Sequence, residues 1–295
     1  MNLSLPRSFP IAKAALAAAV IACTFALACS LTGCASGGTD SSSADADNTS
    51  ASTNSKTLRV AMELAYPPFE TKDDAGNPEG LAVDFIRDFG AAYGYDVQIE
   101  NTAWDGLIPS LQSDKADLVI SSMTITDERK QSVDFSDAYA MAQLAILANA
   151  DSGVASIDDL NQPGKKVAVK TGSTGDVYAT KNLTNAEIVR LADESACVTE
   201  VVQGKADGFL YDQLTIYRNH QANPDTTEAV FIPFQDAEEW GIAVKKGNTE
   251  LLDQLNAFIA QSKTDGEFDR LTEKYLADEK KAFDQYGFKW FFDFE

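Results

Sequence analysis

The sequence predicts an α/β fold with two lobes, mainly parallel sheets, flanking helices and a two-segment hinge. Short apolar runs alternate with stretches in which apolar residues recur at helical spacing, and this alternation is typical of parallel sheets. The globular part begins near Leu58 and is long enough to form two cores. A Lys-Ala-Asp motif also occurs twice, at the same distance before Ser122 and before Asp212. We therefore expect two lobes of similar build, whose strand ends face one shared cleft.

The first half of the globular chain contains the elements of one such lobe. A strand over Leu58–Met62 ends at Glu63 and leads into a turn that Pro67 and Pro68 stiffen. Apolar periodicity predicts the elements that follow. They are a helix over Leu81–Tyr93, a strand over Val97–Glu100, a helix from Leu107 to Leu111 and a strand over Ala116–Ile120.

The second half of the chain repeats this order. The glycine-rich turn Thr171–Asp176 opens a helix, and the free N–H groups at such a helix start attract an anion. The other predicted elements are strands over Lys166–Lys170, Glu187–Arg190 and Ala206–Asp212, and a helix over Ser195–Gln203.

The chain is expected to cross between the lobes twice, and two crossings make a hinge. We place the first crossing near Leu144–Asn149 and the second near Trp240–Val244. The first lobe then comprises residues 58–147 and 242–295, and the second comprises residues 148–241. A signal peptide over residues 1–33 and a tether over residues 34–57 precede them.

The first 33 residues have the pattern of a secretory signal, with Arg7 and Lys13 before a short apolar run. That run is too short and wrongly flanked for a membrane-spanning helix. Its end, Leu31-Thr32-Gly33-Cys34, resembles the lipobox of bacterial lipoproteins, in which the cysteine is lipidated and becomes the first residue. A plain signal peptide with a coincidental cysteine is the alternative. The sequence thus predicts an extracytoplasmic protein that a lipid on Cys34 anchors to the cell membrane.

Composition limits the partners of the mature protein. The full sequence has a formal net charge of −21, and loss of Arg7 and Lys13 with the signal makes it −21 − 2 = −23. This charge argues against nucleic acid and anionic lipid surfaces. The segment after Cys34 is almost free of apolar residues, so it is expected to be a flexible tether. Of four cysteines only Cys197 remains after processing and lipidation, which excludes an intrachain disulfide. No metal-ligand spacing is present, and we expect a monomer without a cofactor.

The polar segment after the strand Ala116–Ile120 is the central candidate for a binding site. Ser121, Ser122 and Thr124 follow the carboxyl end of a strand, where open α/β sheets bind ligands. Arg129 lies in the first turn of the next helix, where a cation opposes the helix dipole. Its fork of N–H donors suits a carboxylate. Taken alone, Arg129 is equally typical of a solvated surface turn.

The second lobe supplies the complementary groups. Ser173 and Thr174 add hydrogen-bond donors, and Asp212 is an acid at the end of an apolar strand. A structural carboxylate is the alternative for Asp212. A cation site and an anion site together describe the zwitterion of an α-amino acid. Tyr66 and Trp104 are expected to flank its side chain, although each residue alone is also typical of a core.

Two charged residues end corresponding strands, because Val60 precedes Glu63 by the same offset as Val167 precedes Lys170. An unpaired Glu63 would favour a basic ligand side chain. If Lys170 pairs with it, the two charges offset each other, since an isolated buried charge is costly. We therefore predict a polar uncharged ligand side chain, glutamine first, with basic amino acids second.

The motifs of residues 58–277 resemble the polar amino-acid-binding proteins of ABC importers, which are solute-binding proteins of family 3 with a type II periplasmic-binding fold. The resemblance implies that Arg129, Thr124 and Thr174 hold the ligand carboxylate and that Asp212 holds the ammonium group. It also implies that Tyr66 and Trp104 line the side-chain pocket and that an ABC permease is the partner. It rests on Tyr66-Pro67-Pro68-Phe69-Glu70, Gly80-Leu81-Ala82-Val83-Asp84, Leu107-Ile108-Pro109-Ser110-Leu111, Thr124-Ile125-Thr126-Asp127-Glu128-Arg129, Asp134-Phe135-Ser136, Gly172-Ser173-Thr174-Gly175 and Lys205-Ala206-Asp207.

The chain departs from this pattern at three places. Tyr139 is followed by Ala140 instead of a second tyrosine, and the segment 148–150 lacks the usual basic residue. An aromatic tail over residues 283–292 is longer than expected. It is predicted to pack on a lobe, with a contact to another protein as the alternative.

Two other functions are alternatives to transport. A few relatives of this family, such as cyclohexadienyl dehydratases, are enzymes, and their chemistry needs a positioned acid or base. His220 lies in a polar stretch away from the expected cleft, and Cys197 is expected to be buried, so a carboxylate such as Glu63 is the remaining kind of candidate. A ligand-sensing subunit is the other alternative. We predict a binding protein and not an enzyme.

Overall fold

The computed structural model describes residues 55–286 and 289–294, without the side chains of residues 285 and 286. The predicted signal peptide and Cys34 lie outside the described residues, as does the predicted tether up to residue 54. Within the described ranges, no helix is both long and apolar enough to cross a membrane. The first strand begins at Lys56, two residues before the predicted start at Leu58.

Strands and helices alternate through most of the described chain. The strands are β1 (Lys56–Met62), β2 (Thr71–Lys72), β3 (Pro78–Glu79), β4 (Tyr95–Asn101), β5 (Leu118–Val119), β6 (Val133–Phe135), β7 (Ala140–Ala142), β8 (Leu144–Asn149), β9 (Lys166–Lys170), β10 (Glu187–Leu191), β11 (Gly208–Asp212), β12 (Thr227–Val230), β13 (Glu238–Trp240) and β14 (Ala243–Lys245). The helices are α1 (Leu81–Tyr93), α2 (Leu107–Gln112), α3 (Asp127–Lys130), α4 (Ile157–Leu160), α5 (Thr174–Asn182), α6 (Glu194–Val202), α7 (Gln213–Ala222), α8 (Thr249–Ser262), α9 (Glu267–Tyr275) and α10 (Ala277–Tyr286). A 3₁₀ turn covers Trp104–Gly106.

Two five-stranded sheets confirm the predicted two-lobed α/β architecture. The first has the strand order β4-β1-β5-β14-β6 and the second the order β10-β9-β11-β8-β12. Four strands of each sheet run in one direction, and β14 and β8 run antiparallel to their neighbours. The sheets are therefore mainly parallel, as predicted, with one reversed strand each. Those two strands are the ones that enter their sheet from the other lobe.

The repeated Lys-Ala-Asp motif has the same structural role in both lobes. Asp117 Oδ2 accepts a hydrogen bond of 2.8 Å from the backbone N–H of Arg59. Asp207 Oδ2 accepts one of the same length from the backbone N–H of Lys166. Each aspartate also pairs with a basic side chain, Asp117 with Arg59 and Asp207 with Lys165. The motif thus ties the start of the central strand to its parallel neighbour, which explains its occurrence in each lobe.

The chain passes from the first sheet to the second before Leu144, earlier than the predicted first crossing. All of β8 is hydrogen bonded within the second sheet, and Leu144 to Ala148 are buried. The predicted boundary between residues 147 and 148 falls inside β8, whose residues all pair with strands of the second sheet. The connection is a short antiparallel pair of β7 and β13, in which Ala142 faces Glu238 and Ala140 faces Trp240. A fully apolar run marks an interior strand and not a linker, because a linker exposes its backbone.

Apolar clusters cover both faces of each sheet. The largest lies on the first sheet and includes Phe85, Phe89 and Tyr139 from the lobe itself. The aromatic tail joins this cluster, because Phe291 is fully buried and Trp290 is 4% exposed. The backbone oxygen of Phe291 also accepts a hydrogen bond of 2.7 Å from Met141 in β7. The tail therefore packs on the first lobe and on one of the two connecting strands.

Candidate functional site

Between the two sheets lies a cleft that residues from both lobes line. It opens at the carboxyl ends of the strands, as expected for open α/β sheets. Ten of the eleven residues predicted for the cleft line it, and Lys170 lies at its base with a side chain that is 3% exposed. The ten are Glu63, Tyr66, Trp104, Ser121, Ser122, Thr124, Arg129, Ser173, Thr174 and Asp212.

One carboxylate oxygen of Asp212 accepts several hydrogen bonds, and the other accepts none from the described residues. It precedes α7, and its Oδ1 accepts hydrogen bonds from the backbone N–H groups of Leu214 and Thr215 at 2.9 and 3.1 Å. The same oxygen accepts from the Tyr66 hydroxyl at 2.7 Å. Its Oδ2 is buried and has no hydrogen-bond partner among the described residues. Because burial disfavours the charge, the pKa of Asp212 is raised, and a cationic donor beside Oδ2 would stabilise the carboxylate.

Arg129 reaches across the cleft from α3. Its Nη1 donates to the backbone oxygen of Thr124 at 2.7 Å, and its Nη2 donates to that of Gly172 in the second lobe at 3.1 Å. The guanidinium carbon lies 5.2 Å from the centre of the Trp104 ring, which is cation–π distance. Burial lowers the pKa of Arg129 from its ordinary value. Two of its five N–H donors are directed to these carbonyls, so others can serve an anion in the cleft.

Thr124 and Thr174 lie on opposite sides of the cleft and donate to the same carboxylate. Their hydroxyls donate to Glu238 Oε2 at 2.8 and 2.7 Å. Thr174 begins α5, and the missing side chain of Gly175 allows that helix to approach β11, since a Cβ there would lie 2.5 Å from the Leu210 oxygen. Sequence reasoning missed Glu238, because β13 is too short for any periodicity to show which side chains face the cleft.

The three predicted serines have different surroundings. Ser121 Oγ accepts from the backbone N–H of Glu63 at 3.0 Å, and Ser173 Oγ caps α5 by accepting from Asp176. Ser122 has a φ of +46°, which is uncommon outside glycine and concentrates at functional sites. Its hydroxyl donates to Glu70 Oε2 at 3.1 Å. The hydroxyls of Ser121 and Ser173 thus support the local backbone, and their role toward a ligand stays a prediction.

Three acids and one lysine decide the charge at the base of the cleft. Lys170 Nζ forms an ion pair with Glu63 Oε2 across the two lobes, as the sequence suggested, and lies 5.2 Å from the Trp104 ring centre. Glu70, which was not predicted, is 1% exposed, and burial raises its pKa well above the usual range. Glu194 lies nearby, and its burial and the charge of Asp212 raise its pKa to about 8. Burial therefore favours the neutral forms of Glu70 and Glu194.

No group of three or more His, Cys, Asp or Glu side chains in the described ranges is arranged to hold a metal ion. Cys197 is buried and unpaired, and burial raises the pKa of its thiol to about 12. His220 contacts Thr227 through Nδ1 at 3.1 Å and does not line the cleft. The polar groups of the cleft itself, with an unpartnered acid on one side and a guanidinium on the other, suit a small zwitterion.

The chain is similar to several amino-acid-binding proteins. The chain is 35% identical over 260 residues to a probable histidine-binding protein of Neisseria gonorrhoeae, covering 86% of this chain and 94% of that protein. It is 30% identical over 208 residues to the ABC transporter glutamine-binding protein of Bacillus subtilis, covering 70% and 75%. The crystal structure of the ancestral amino acid-binding protein AncCDT-1, a precursor of cyclohexadienyl dehydratase, is 38% identical with a TM-score of 0.68 and covers 74% of this chain and 94% of that one.

The family match gives the same result over most of the globular chain. Residues 58–278 match the family described as bacterial extracellular solute-binding proteins, family 3. The match begins in β1 and ends in α10, so it spans both sheets and the two strands that connect them. The chain belongs to the bacterial extracellular solute-binding proteins of family 3.

Proposed function

We propose that this protein captures a polar α-amino acid in the cleft and delivers it to an ABC importer. The observation that carries the proposal is the pair of complementary groups, namely the buried, unpartnered Oδ2 of Asp212 and the guanidinium of Arg129. Asp212 would accept the ligand ammonium group, and Arg129 would donate to the ligand carboxylate. Tyr66 and Trp104 would border its side chain. The amino acids named for the relatives support this class of ligand.

We propose binding without turnover. The dehydratase alternative is favoured by one similar structure, whose protein is a precursor of that enzyme. Glu63 is the acid that sequence reasoning left for such chemistry, and it is held in an ion pair with Lys170 and accepts from the Trp104 backbone N–H at 3.3 Å. Glu63 is thus already held by two partners, Lys170 and the Trp104 backbone, and this supports a structural role for it in a binding cleft.

The ligand side chain is proposed to be polar, with glutamine first and basic amino acids second. The ion pair of Glu63 and Lys170 offsets the charge at the base of the cleft, which supports a neutral polar group there. Isothermal titration with the twenty amino acids tests both the class and the order. In the Lys170→Ala variant Glu63 loses its partner, so the ratio of the arginine Kd to the glutamine Kd should fall by about tenfold or more. A parent that binds leucine best, or an unchanged ratio in the variant, would contradict this account.

We further propose that the mature protein is a monomer anchored through a lipid on Cys34. The lipobox-like sequence Leu31-Thr32-Gly33-Cys34 supports this location, together with the extracellular character of the family. Intact-mass analysis of membrane-extracted protein should show a diacylglyceryl-modified Cys34 as the first residue. A mature form that begins at another residue and is released to the medium would be incompatible with the anchor.

A further inference from the structure

Glu238 occupies an unexpected position in the cleft. It is the first residue of β13, one of the two strands that connect the lobes. Its Oε2 accepts from Thr124 in the first lobe at 2.8 Å and from Thr174 in the second lobe at 2.7 Å. Its Oε1 accepts from the side-chain amide of Gln235 at 2.6 Å. The Glu238 carboxylate, on the connecting strand β13, thus accepts a hydrogen bond from one threonine of each lobe.

These two threonines are the donors that the family resemblance assigns to the carboxylate of a ligand. A threonine hydroxyl has one proton to donate, and in both residues it is directed to Glu238 Oε2. A ligand carboxylate can accept hydrogen bonds from these two hydroxyls only if their hydrogen bonds to Glu238 break. Two carboxylates held at this site would also repel each other, since like charges at an interface are costly.

We propose that Glu238 is a built-in competitor for the carboxylate of the ligand and determines how strongly the cleft binds an amino acid. This inference rests on the proposed amino-acid-binding function. The hydrogen bonds from Thr124 and Thr174 to Glu238 are made when no ligand carboxylate is present and are lost when one binds. An interaction made only in the free state opposes binding, because a ligand shifts an equilibrium by its differential affinity for the two states.

The same contacts affect the relative position of the lobes in the free protein. Because Glu238 bonds to one threonine from each lobe, it stabilises the closed arrangement without a ligand. The Glu238→Ala variant should therefore show a larger radius of gyration than the parent in small-angle scattering without a ligand. With saturating ligand the two proteins should have the same radius, because the ligand carboxylate then joins the two threonines.

Removal of the competitor should tighten binding. In the Glu238→Ala variant the Kd for L-glutamine and L-arginine should fall by about ten- to a hundredfold. The increase in affinity should depend on the negative charge of the ligand carboxylate. The affinity for the α-carboxamides of the same two amino acids should therefore change little, and the ratio of the carboxamide Kd to the free-acid Kd should rise. Glu238→Gln keeps the size of the side chain and removes its charge, and it should give a smaller gain in the same direction.

Glu239→Ala is the matched control, since Glu239 lies next in the same strand and does not line the cleft. Its Kd values should equal those of the parent. Unchanged or weaker binding of the free acids by both Glu238 variants would overturn the inference, and weaker binding would make Glu238 a direct ligand contact. If neither the parent nor the variants bound any of the twenty amino acids, the proposed function itself would be wrong, and the inference with it.

Discussion

Arg129→Ala should weaken amino-acid binding by roughly 30- to several-thousand-fold, because truncation of one partner of a buried charge pair costs about 2–5 kcal/mol. The guanidinium is held in place by the carbonyls of Thr124 and Gly172 and by the Trp104 ring. No other arginine lines the cleft among the described residues. The ligand carboxylate would therefore enter the cleft without its main cation.

Asp212→Asn tests the other end of the ligand with less damage to the fold. The amide oxygen of asparagine can still cap α7 and accept from Tyr66, which an alanine could not do. The ammonium group would lose its charged acceptor, so we expect a loss of binding in the same range as for Arg129→Ala.

Isothermal titration measures both effects, and circular dichroism and thermal unfolding check that each variant is folded. Arg87→Ala is the control for charge removal, because Arg87 is exposed and donates only weakly, at 3.3 Å, to a backbone oxygen. It should bind like the parent. If either cleft variant bound within a factor of three of the parent, the assignment of the zwitterion would be incorrect.

Phe291→Ala should lower the free energy of unfolding by about 3–5 kcal/mol, as expected for truncation of a buried phenylalanine. Phe291 is fully buried, and its ring packs against Phe69, Trp240 and Phe283 at centroid distances of 5.1 to 6.0 Å. The remaining cavity would adjoin β7 and β13, the two connecting strands. Stability of the first lobe thus depends on a segment that follows the family match, which ends at residue 278.

Urea denaturation followed by tryptophan fluorescence measures this change as a shift of the midpoint. Phe294→Ala is the comparison variant from the same tail, since Phe294 is only partly buried against the core. We expect its loss to be well under half that of Phe291→Ala. A loss below about 1 kcal/mol for Phe291→Ala would mean that the tail does not support the core.

Local patterns in the sequence were sufficient to predict most of the cleft. A run of apolar residues followed by small polar residues marks the carboxyl end of a buried strand, and parallel strands bring such ends to one edge of a sheet. For this reason the sequence alone predicts that Ser121, Ser122 and Thr124 lie in the same cleft as Asp212. The pairing of Glu63 with Lys170 followed in the same way, because each residue ends the corresponding strand of its lobe.

The connection between the lobes could not be predicted in the same manner. The run Leu144–Ala148 is apolar, which fits a buried strand, but neither its length nor its periodicity shows which of the two sheets it joins. Its pairing with β11 and β12 assigns it to the second sheet. The reversed direction of β8 and β14 likewise depends on where the chain enters each sheet, and no local pattern encodes this.

The strand and helix alternation, the two lobes and the polar strand ends were determined by the sequence itself, since each depends on residues close together in the chain. The tertiary structure alone decided that Glu238 contacts Thr124, 114 residues away, and Thr174, 64 residues away. It also decided that the aromatic tail packs on β7. Contacts of this kind depend on how complete sheets are positioned relative to each other, and that position results from the sum of many packing interactions across both lobes.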